Sequence, residues 1–206
     1  MKHLCILIIL SLVTCAASAD ATAILTKLQT NGAAIGTIES RFVQRRHVQA
    51  LKGDVLSNGR FYYQKNDKIC MVYDRPQGDL LLMNGDDFVM IADGRRSVVN
   101  VQANPMLKQL RTLLTACVSG DFERLKTGRN TRLVVDQTDT HYILTAHFDG
   151  SAKKMYASVV LTFDKRQLAL VALRMNESNG NFTEYTFESP KFNQPIDERI
   201  FDVNGK

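Results

Sequence analysis

Residues 59–93 read GRFYYQKNDKICMVYDRPQGDLLLMNGDDFVMIAD, and this stretch decides the fold of the chain. It holds short apolar runs at residues 61–63, 69–73, 80–83 and 88–91, with a further run at 98–101. The runs are separated by turn signals, which are Asn66-Asp67, Pro76-Gln77-Gly78, Asn84-Gly85 and Asp93-Gly94. Asn-Gly and Asp-Gly between alternating apolar residues are typical of β-hairpins, so the stretch predicts an antiparallel meander.

The strands of this meander must be antiparallel, because parallel neighbours need a crossover of a dozen or more residues and no gap here is that long. Side chains alternate between the two faces of a strand. One face of the meander is therefore aromatic and Met-rich, and it carries Phe61, Tyr63, Ile69, Met71 and Tyr73. A face of this kind has to be covered, and what covers it is the functional question.

Residues 1–19 have the pattern of a secretory signal peptide. Lys2 begins a short polar start, residues 4–13 are apolar, and Ala17-Ser18-Ala19 fits the small-residue cleavage site. The apolar run is shorter than the roughly 20 residues that span a bilayer. We expect export to the periplasm, with residues 20–206 as the mature protein.

A second reading of the leader concerns Cys15. Leu12-Val13-Thr14 before Cys15 approximates the box that precedes a lipid-modified cysteine in bacterial lipoproteins. Lipid attachment at Cys15 would tether the protein to a membrane, so tethering stays open as the alternative.

Charge and length limit the classes of function. The chain has 206 residues and a net charge of +5, which falls to +4 once Lys2 leaves with the leader. Arg45-Arg46 and Arg95-Arg96 are the adjacent arginine pairs, and no clustered basic stripe accompanies them. Nucleic-acid binding is therefore not expected. The mature length suits one domain with a sizeable core, and no repeat or linker divides it.

Cys70 and Cys117 are the cysteines of the mature chain. An oxidising compartment permits a disulfide between them, whereas sequence does not give their separation in space. A disulfide and two buried thiols both remain open.

Two segments have helical periodicity. Residues 20–31 place Ala21, Ile24, Leu25 and Leu28 on one side of a short helix. Asn104-Pro105 then has the residues of a helix start, and Gly120 can end that helix. Its broad apolar face carries Met106, Leu107, Leu110, Leu113, Leu114 and Cys117. Residues 121–126 can add one more turn.

Further strands are predicted before and after the second helix. Residues 36–51 have a strand pattern, and more strands follow at 133–136, 142–148, 155–163, 168–175 and 181–187. A sheet of this size must curl to bury its face. The predicted fold is mainly β with some α: a highly curved antiparallel sheet of about 11 strands, an incomplete β-barrel, covered by a lid of two or three helices.

Signatures of catalysis and of metal binding are missing from the sequence. The mature histidines, His47, His141 and His147, show no metal-binding spacing, and no nucleophile elbow is present. Asp86-Asp87 follows Asn84-Gly85 in a predicted turn, where acidic residues form local hydrogen bonds. We therefore expect no enzyme activity, no cofactor and no metal.

Several short motifs, in order and spacing, resemble the LolA family of periplasmic lipoprotein carriers. They are Phe42-Val43-Gln44, Gly59-Arg60-Phe61-Tyr62-Tyr63, Tyr73-Asp74-Arg75-Pro76, Asn84-Gly85, Asn104-Pro105-Met106-Leu107 and the closing residues 192–203. The resemblance covers nearly the whole mature chain. It implies an open, curved antiparallel sheet covered by helices, as the residues themselves predict.

The resemblance also implies a function and partners. Family members take acylated lipoproteins from an inner-membrane transporter, shield the acyl chains in a cavity and pass them to an outer-membrane acceptor. A monomer is expected. A tethered lipoprotein acceptor or an envelope-stress sensor on the same fold is the alternative. The acyl-chain cavity and lid would be formed by Phe42, Phe61, Tyr63, Met71, Tyr73, Phe88, Met90, Met106, Leu107, Leu110 and Leu114.

The chain departs from the family pattern in three places. Lys65 stands where the family has an arginine that holds the lid shut, and lysine lacks the fixed fork of a guanidinium. The chain has no tryptophan, and Met71 stands where a cavity tryptophan is expected. The tail after residue 203 is also short. The resemblance thus implies that Lys65 is a looser lid latch.

Overall fold

The computed structural model describes residues 9–125, 131–150 and 156–205. For residues 9–19 and for Met106 it describes the main chain alone. Several sequence predictions consequently lie outside the described part of the protein. They are residues 1–8 of the leader, the side chains of Cys15 and Met106, Lys126 in the extra turn and Met155 at a strand start.

One 11-stranded antiparallel sheet forms the body of the protein, with neighbours in the order β6-β5-β4-β3-β2-β1-β11-β10-β9-β8-β7. The strands are β1 (Thr37–His47), β2 (Val55–Gln64), β3 (Lys68–Arg75), β4 (Leu80–Asn84), β5 (Asp87–Ala92), β6 (Arg95–Asn100), β7 (Thr131–Gln137), β8 (His141–Phe148), β9 (Ser158–Asp164), β10 (Leu170–Asn176) and β11 (Phe182–Phe192). The helices are α1 (Ile9–Ala33) and α2 (Pro105–Ser119), with 3₁₀ turns at Val101–Ala103, Phe122–Leu125 and Glu198–Phe201. The sheet is curved and not closed, so the predicted architecture is confirmed.

The order of the strands explains how α2 comes to cover the sheet. β6 and β7 are the two edge strands, and the chain between them contains α2. The connection between these edges crosses the concave side, where the apolar face of α2 packs through Leu110 and Leu114. The strand order and the apolar face of the helix together place α2 over the hollow of the sheet.

The predicted hairpin turns have the backbone conformation that their residues favour. Asn66 and Asp67 both have positive φ, 73° and 62°, between β2 and β3. Asp93 and Gly94, at 51° and 72°, join β5 to β6. Two successive residues with positive φ match the right-handed twist of the flanking strands, which is why Asn, Asp and Gly stand there.

The concave face of the sheet carries the main apolar core. Phe42, Phe61, Tyr63, Met71 and Phe88 are each 6% exposed or less and belong to one buried cluster. A second cluster on β8, β9 and β10 joins α1 and α2 to the sheet. Leu110 and Leu114 of α2 pack against both clusters.

The opposite, convex face of β2–β5 is buried as well, which the sequence did not indicate. Tyr62, Cys70, Leu82 and Val89 lie there at 7% exposure or less, together with Phe201 at 1%. Phe201 belongs to the segment after β11. Hydrogen bonds hold that segment to the sheet. They run from Gln64 Nε2 to Glu198 Oε1 (2.6 Å), from Lys68 Nζ to Glu198 Oε2 (2.7 Å), from Asn84 Nδ2 to the Phe201 carbonyl (3.0 Å) and from Arg96 Nη2 to the Val203 carbonyl (2.7 Å). The resemblance implies a closing strand over residues 192–203, and this is wrong: only Phe192 belongs to a strand, as the last residue of β11, and the rest of the tail covers the back of the sheet.

The first helix differs from the prediction in its start. It was expected over residues 20–31 and spans Ile9–Ala33, so it passes through the expected cleavage site. The leader lacks Gly and Pro before Asp20, and its Leu and Ala residues are good helix formers. Helix formation therefore continues from the leader into the mature part of the chain. The domain division at residue 19 stays a prediction.

Cys70 and Cys117 are not joined by a disulfide, and both are buried, at 0% and 1% exposure. Cys70 is in the convex cluster with Phe201, whereas Cys117 lies on α2 in the cluster that joins the helices to β8, β9 and β10. The sheet lies between the two thiols. Of the two alternatives left open by the sequence, the structure has the pair of buried thiols.

Candidate functional site

A cavity of about 150 Å³ lies between α2 and the concave face of the sheet. Its apolar lining comes from both halves of the sheet and from α2. The lining residues are Phe61, Ile69, Met71, Leu81, Leu110, Leu114, Leu173, Met175, Tyr185 and Phe187, with Gln44, Arg46, Tyr156 and Thr183 at one end. An engineered apolar cavity of this volume holds a group the size of benzene. The space is therefore a fraction of what an acyl chain needs while α2 is in place.

The structure brings together most of the residues predicted for the cavity. Phe42, Phe61, Tyr63, Met71 and Phe88 are buried in the concave cluster, and Tyr73, Leu107, Leu110 and Leu114 pack against it while partly exposed. Of all these residues, Phe61, Met71, Leu110 and Leu114 line the space itself. The others form the wall behind it.

Met90 is the predicted site residue that the structure does not bring into the cluster. It is 44% exposed, and it pairs with Leu81 on β4 and Ser97 on β6. The reason is its position along β5. Helix α2 reaches the β4–β5 turn through Arg111, whereas Met90 lies toward the other end of the strand, beyond the cover of the helix.

Sequence reasoning missed the part of the lining that comes from β10 and β11. Leu173 and Met175 of β10, and Tyr185 and Phe187 of β11, all face the cavity. Each pair is spaced by two residues, as expected for one face of a strand. That alternation indicates which residues of β10 and β11 share a face. It does not show which of them lie opposite β2 and β3 in the curved sheet.

One end of the hollow is closed by α1. Lys65 Nζ donates to the carbonyl of Ala33, the last residue of α1, at 2.8 Å. Asn193 Oδ1 accepts from Gly36 N at 2.7 Å, and Asn31 Nδ2 donates to the Leu168 carbonyl at 3.1 Å. Lys65, predicted from the resemblance as the lid latch, therefore caps the end of α1. Its function as a latch stays a prediction.

The two helices meet at this closed end with almost no space between their main chains. A Cβ on Gly32 would lie 2.5 Å from the Ser119 carbonyl oxygen, and one on Gly120 would lie 2.9 Å from the Leu28 oxygen. Gly120 also has a φ of +72°, which side chains disfavour. Glycine is needed on both sides of this contact, so the C-terminal end of α2 is fixed against α1.

Burial changes along α2. Leu113, Ala116, Cys117 and Val118 in its second half are 9% exposed or less. Over residues 107–112 every described side chain is at least partly exposed. The cavity lies beneath Leu110 and Leu114, where the less firmly packed first half of α2 meets the buried second half.

A polar contact holds the first half of α2 to the sheet. Arg111 Nη1 donates to the Gly85 carbonyl at 2.7 Å and to Asp86 Oδ1 at 2.9 Å, and Gln102 Nε2 donates to the same Asp86 oxygen at 2.9 Å. The hydrogen bond from Gln102, followed by that from Arg111, lowers the pKa of Asp86. We call Arg111, Asp86 and Gln102 the α2 latch. The turn predicted at Asn84-Gly85 supplies it.

The other end of the hollow is polar. Tyr73 donates its hydroxyl to Gln44 Oε1 at 2.7 Å, and burial raises the pKa of Tyr73 and raises that of Tyr185 well above its usual value. Arg46 stands at the rim, where its Nη1 donates to Thr183 Oγ1 at 3.2 Å. Hydroxyl, amide and guanidinium groups thus surround the place where the cavity meets solvent.

A family model described as outer membrane lipoprotein carrier protein LolA matches residues 33–204. The chain belongs to the LolA family. The sequence resemblance is thereby confirmed. The family is named for the carriage of lipoproteins, and the hollow beneath α2 is a feature that fits such a family. The LolA fold is consistent with binding of lipoproteins or other lipids.

Solved structures with the LolA-like fold include a DUF1329 family protein from Desulfovibrio piger, 13% identical with a TM-score of 0.53, over 89% of this chain and 98% of that one. An uncharacterized conserved protein from Thermus thermophilus is 8% identical with a TM-score of 0.52, over 89% and 94%. The Pseudomonas aeruginosa MucA/MucB complex is 14% identical with a TM-score of 0.40, over 90% and 62%. The first two likenesses show the fold alone. No curated protein sequence matches the chain significantly.

Two further observations concern the described residues. They include no group of three or more His, Cys, Asp or Glu side chains placed to hold a metal ion. Among them, no helix has both the length and the apolar character that crossing a membrane requires.

Proposed function

We propose that this protein is a periplasmic carrier that shields the acyl chains of lipoproteins under α2 and delivers them toward the outer membrane. Its partners would be an inner-membrane lipoprotein-releasing transporter and an outer-membrane acceptor, with residues 1–19 directing export and residues 20–206 acting as a monomer. The observation that carries the proposal is the cavity of about 150 Å³ beneath Leu110 and Leu114 of α2.

The physical need for such a carrier follows from the hydrophobic effect. Each methylene removed from water contributes about 0.8 kcal/mol, so one C16 chain exposed in water costs roughly 12 kcal/mol. A carrier has to offer similar apolar surface without binding so tightly that release fails. Leu110 and Leu114 cover the cavity when it is empty and would lose that burial when an acyl chain enters. This loss offsets part of the binding free energy that burial of the acyl chain provides.

The helix has to move for the site to work. The cavity holds a benzene-sized group, whereas ligand pockets usually measure about 300–1,000 Å³. Because α2 is fixed at Ser119 and Gly120 and held at Arg111 by polar contacts, the simplest opening is a swing of its first half about its second half. Met71 and Met175 then present adaptable surface to chains of different lengths.

A reversible lock on α2 tests this function. Asp86→Cys and Arg111→Cys together would be joined by a reducible bismaleimide, and native Cys70 and Cys117 would not compete because they are buried. We expect the locked protein to exclude a fluorescent palmitate analogue and to bind it again after reduction. Arg111→Cys alone, treated with the same reagent, is the control and should bind throughout.

Two outcomes would contradict the proposal. Binding of the palmitate analogue by the locked protein would place the lipid elsewhere. Failure of the unlocked protein to bind it, together with native mass spectra and extracts that contain no lipid, would remove the carrier function.

The tethered alternative has its own measurement. Cells expressing the full chain would be labelled with radioactive palmitate, and we expect no label at Cys15. Label that is lost in Cys15→Ser would instead favour a membrane-tethered acceptor, because the mature chain would then begin at that cysteine.

A further inference from the structure

Two adjacent arginines of β1 point to opposite faces of the sheet and have different surroundings. Arg45 lies on the convex face, where Nη2 and Nε contact Glu184 Oε2 at 2.6 and 3.1 Å and Asp54 lies 3.5 Å away. Arg46 lies on the concave side and lines the cavity. The first guanidinium is paired with two carboxylates on the outer surface, whereas the second lines the hollow.

The contacts of Arg46 leave much of its hydrogen-bonding capacity unused. A guanidinium has five N–H donors. Arg46 donates one to Thr183 Oγ1 at 3.2 Å, and within the described residues its nearest carboxylate oxygen is Glu177 Oε1 at 3.7 Å, which is beyond a normal hydrogen bond. Its side chain is 45% exposed. The group can therefore accept an anionic partner without breaking a tight ion pair.

The other titratable groups near Arg46 do not compete for it. Glu177 forms a long ion pair with Arg46, at 3.7 Å through Oε1, and its Oε2 accepts a hydrogen bond from Asn181 Nδ2 at 3.3 Å, so it can shift away when an anion binds. Burial raises the pKa of Tyr156 and of Tyr185, so both phenols are neutral at neutral pH. Among the described neighbours, Arg46 thus has one distant carboxylate and two neutral hydroxyls.

The shape of the hollow fixes which end of a ligand reaches Arg46. The opposite end is closed by α1, by the contact of Gly32 with Ser119, and by the Lys65 hydrogen bond to Ala33. An acyl chain therefore enters from the Arg46 end with its methyl terminus first. Its head group stays at the rim, beside Arg46, Thr183 and Gln44.

We propose that Arg46 binds a negatively charged head group, so that the cavity also takes free amphiphiles whose acyl or alkyl chain is attached to a carboxylate or a phosphate. This inference rests on the proposed function for the use of the cavity by an acyl chain. It goes beyond lipoproteins, whose ester- and amide-linked acyl chains carry no such charged group, and it names the residue that selects the anion. Guanidinium groups suit carboxylate and phosphate because their fork donates two parallel hydrogen bonds.

The test uses ligands that share one chain and differ in charge. Binding of decanoate, decyl phosphate and 1-decanol to the mature protein would be measured by calorimetry. We expect both anions to bind more tightly than the alcohol. Arg46→Gln should raise Kd about tenfold for the anions and leave the alcohol unchanged, as expected for the loss of one charged hydrogen-bonding partner. Arg46→Lys should keep part of the preference.

Arg45→Gln is the matched control, because it removes the neighbouring charge from the other face of the same strand. Its affinity for decanoate should equal that of the wild type. Thermal unfolding of each variant would show that it is folded. Equal loss of affinity in Arg45→Gln and Arg46→Gln would overturn the proposal, since a general charge effect would then explain both.

The remaining outcomes separate this inference from the proposed function. If the alcohol and the anions bind the wild type equally, the head-group site is refuted while the acyl cavity stands. If none of the three ligands binds, the carrier function fails as well. Inorganic phosphate carries the charge without the chain, so it would be added as a competitor of decanoate. Competition by phosphate that disappears in Arg46→Gln would show that the site binds free anions, and it would refute binding of a lipid head group.

Discussion

The two ends of the hollow differ in almost every physical respect. At the closed end, glycine main chains touch, Ile35 and Ile38 are each 8% exposed, and the leftover space is about 30 Å³. At the open end the space is about 150 Å³, and a partly exposed arginine stands at the rim. The contrast shows that α2 can be fixed to the protein at one end and still cover the cavity with the rest of its length. Its buried second half gives α2 a fixed point, and its partly exposed first half is free to respond to a ligand.

The largest expected effect compares two leucine truncations. Leu28→Ala at the closed end removes a side chain that is 3% exposed and should lower the free energy of unfolding by about 2–5 kcal/mol. Leu110→Ala over the cavity should cost about 1 kcal/mol, because Leu110 is partly exposed and already borders empty space. Urea unfolding followed by circular dichroism measures both. Equal losses would show that the two ends are equally packed.

Thiol reactivity should give the next largest contrast. Burial raises the pKa of Cys117 and keeps the thiol out of reach, so dithiodipyridine should modify it only after unfolding. A cysteine introduced as Leu110→Cys should react in the native protein within minutes. Absorbance of the released thiopyridone gives both rates. Rapid reaction of native Cys117 would mean that the whole of α2 opens and that its second half is no anchor.

Weakening the α2 latch should have a moderate effect. Arg111→Gln removes the contacts to Gly85 and Asp86, and we expect uptake of a fluorescent fatty acid to become about two- to fivefold faster, the range expected for a single exposed ion pair. Arg124→Gln is the control, because its partner Asp121 lies beyond the end of α2. An unchanged rate for Arg111→Gln would show that α2 is held by packing alone.

The smallest expected effect is the response of the latch to acid. Hydrogen bonds from Gln102 and Arg111 hold the pKa of Asp86 below its ordinary value of 3.8. A lowered folded-state pKa stabilises the closed state above the ordinary value, and this contribution is lost as the pH falls through the lower one. Below about pH 3.8, hydrogen exchange of residues 107–112 should therefore increase more than that of residues 113–118.

Asp86→Asn is the matched variant for the acid response. It removes the titrating group and keeps a side-chain oxygen that can accept a hydrogen bond. The pH-dependent difference between the two halves of α2 should disappear in this variant. Persistence of the difference would assign it to another carboxylate.

Most of the fold could be predicted because alternation and turn residues act locally. Asn66-Asp67 and Asp93-Gly94 marked their hairpins through backbone preference, and the spacing from Pro105 to Gly120 defined α2. The start of α1 could not be predicted in this way, since cleavage and helix formation depend on different properties of the same residues.

The site was less predictable, because a cavity depends on contacts between residues distant in sequence. Phe61, Met71, Leu110 and Leu114 were found from periodicity and resemblance. Met90 has the same alternation as Phe88, but its exposure depends on how far α2 reaches. The sequence identifies Arg46 only as one of a basic pair, and it does not show that Arg45 and Arg46 have different surroundings on the two faces of β1.

The segment after β11 gives the sheet a second function besides enclosing space. Phe201 and its neighbours clamp the back of β2–β5, and those same strands carry the turn that receives Arg111. The tail therefore supports β2–β5 from behind, and the first half of α2 would move relative to these strands. Within the described residues, strands β8–β10 have no such support on their convex face, so they would move apart if the cavity had to widen for a bulkier ligand.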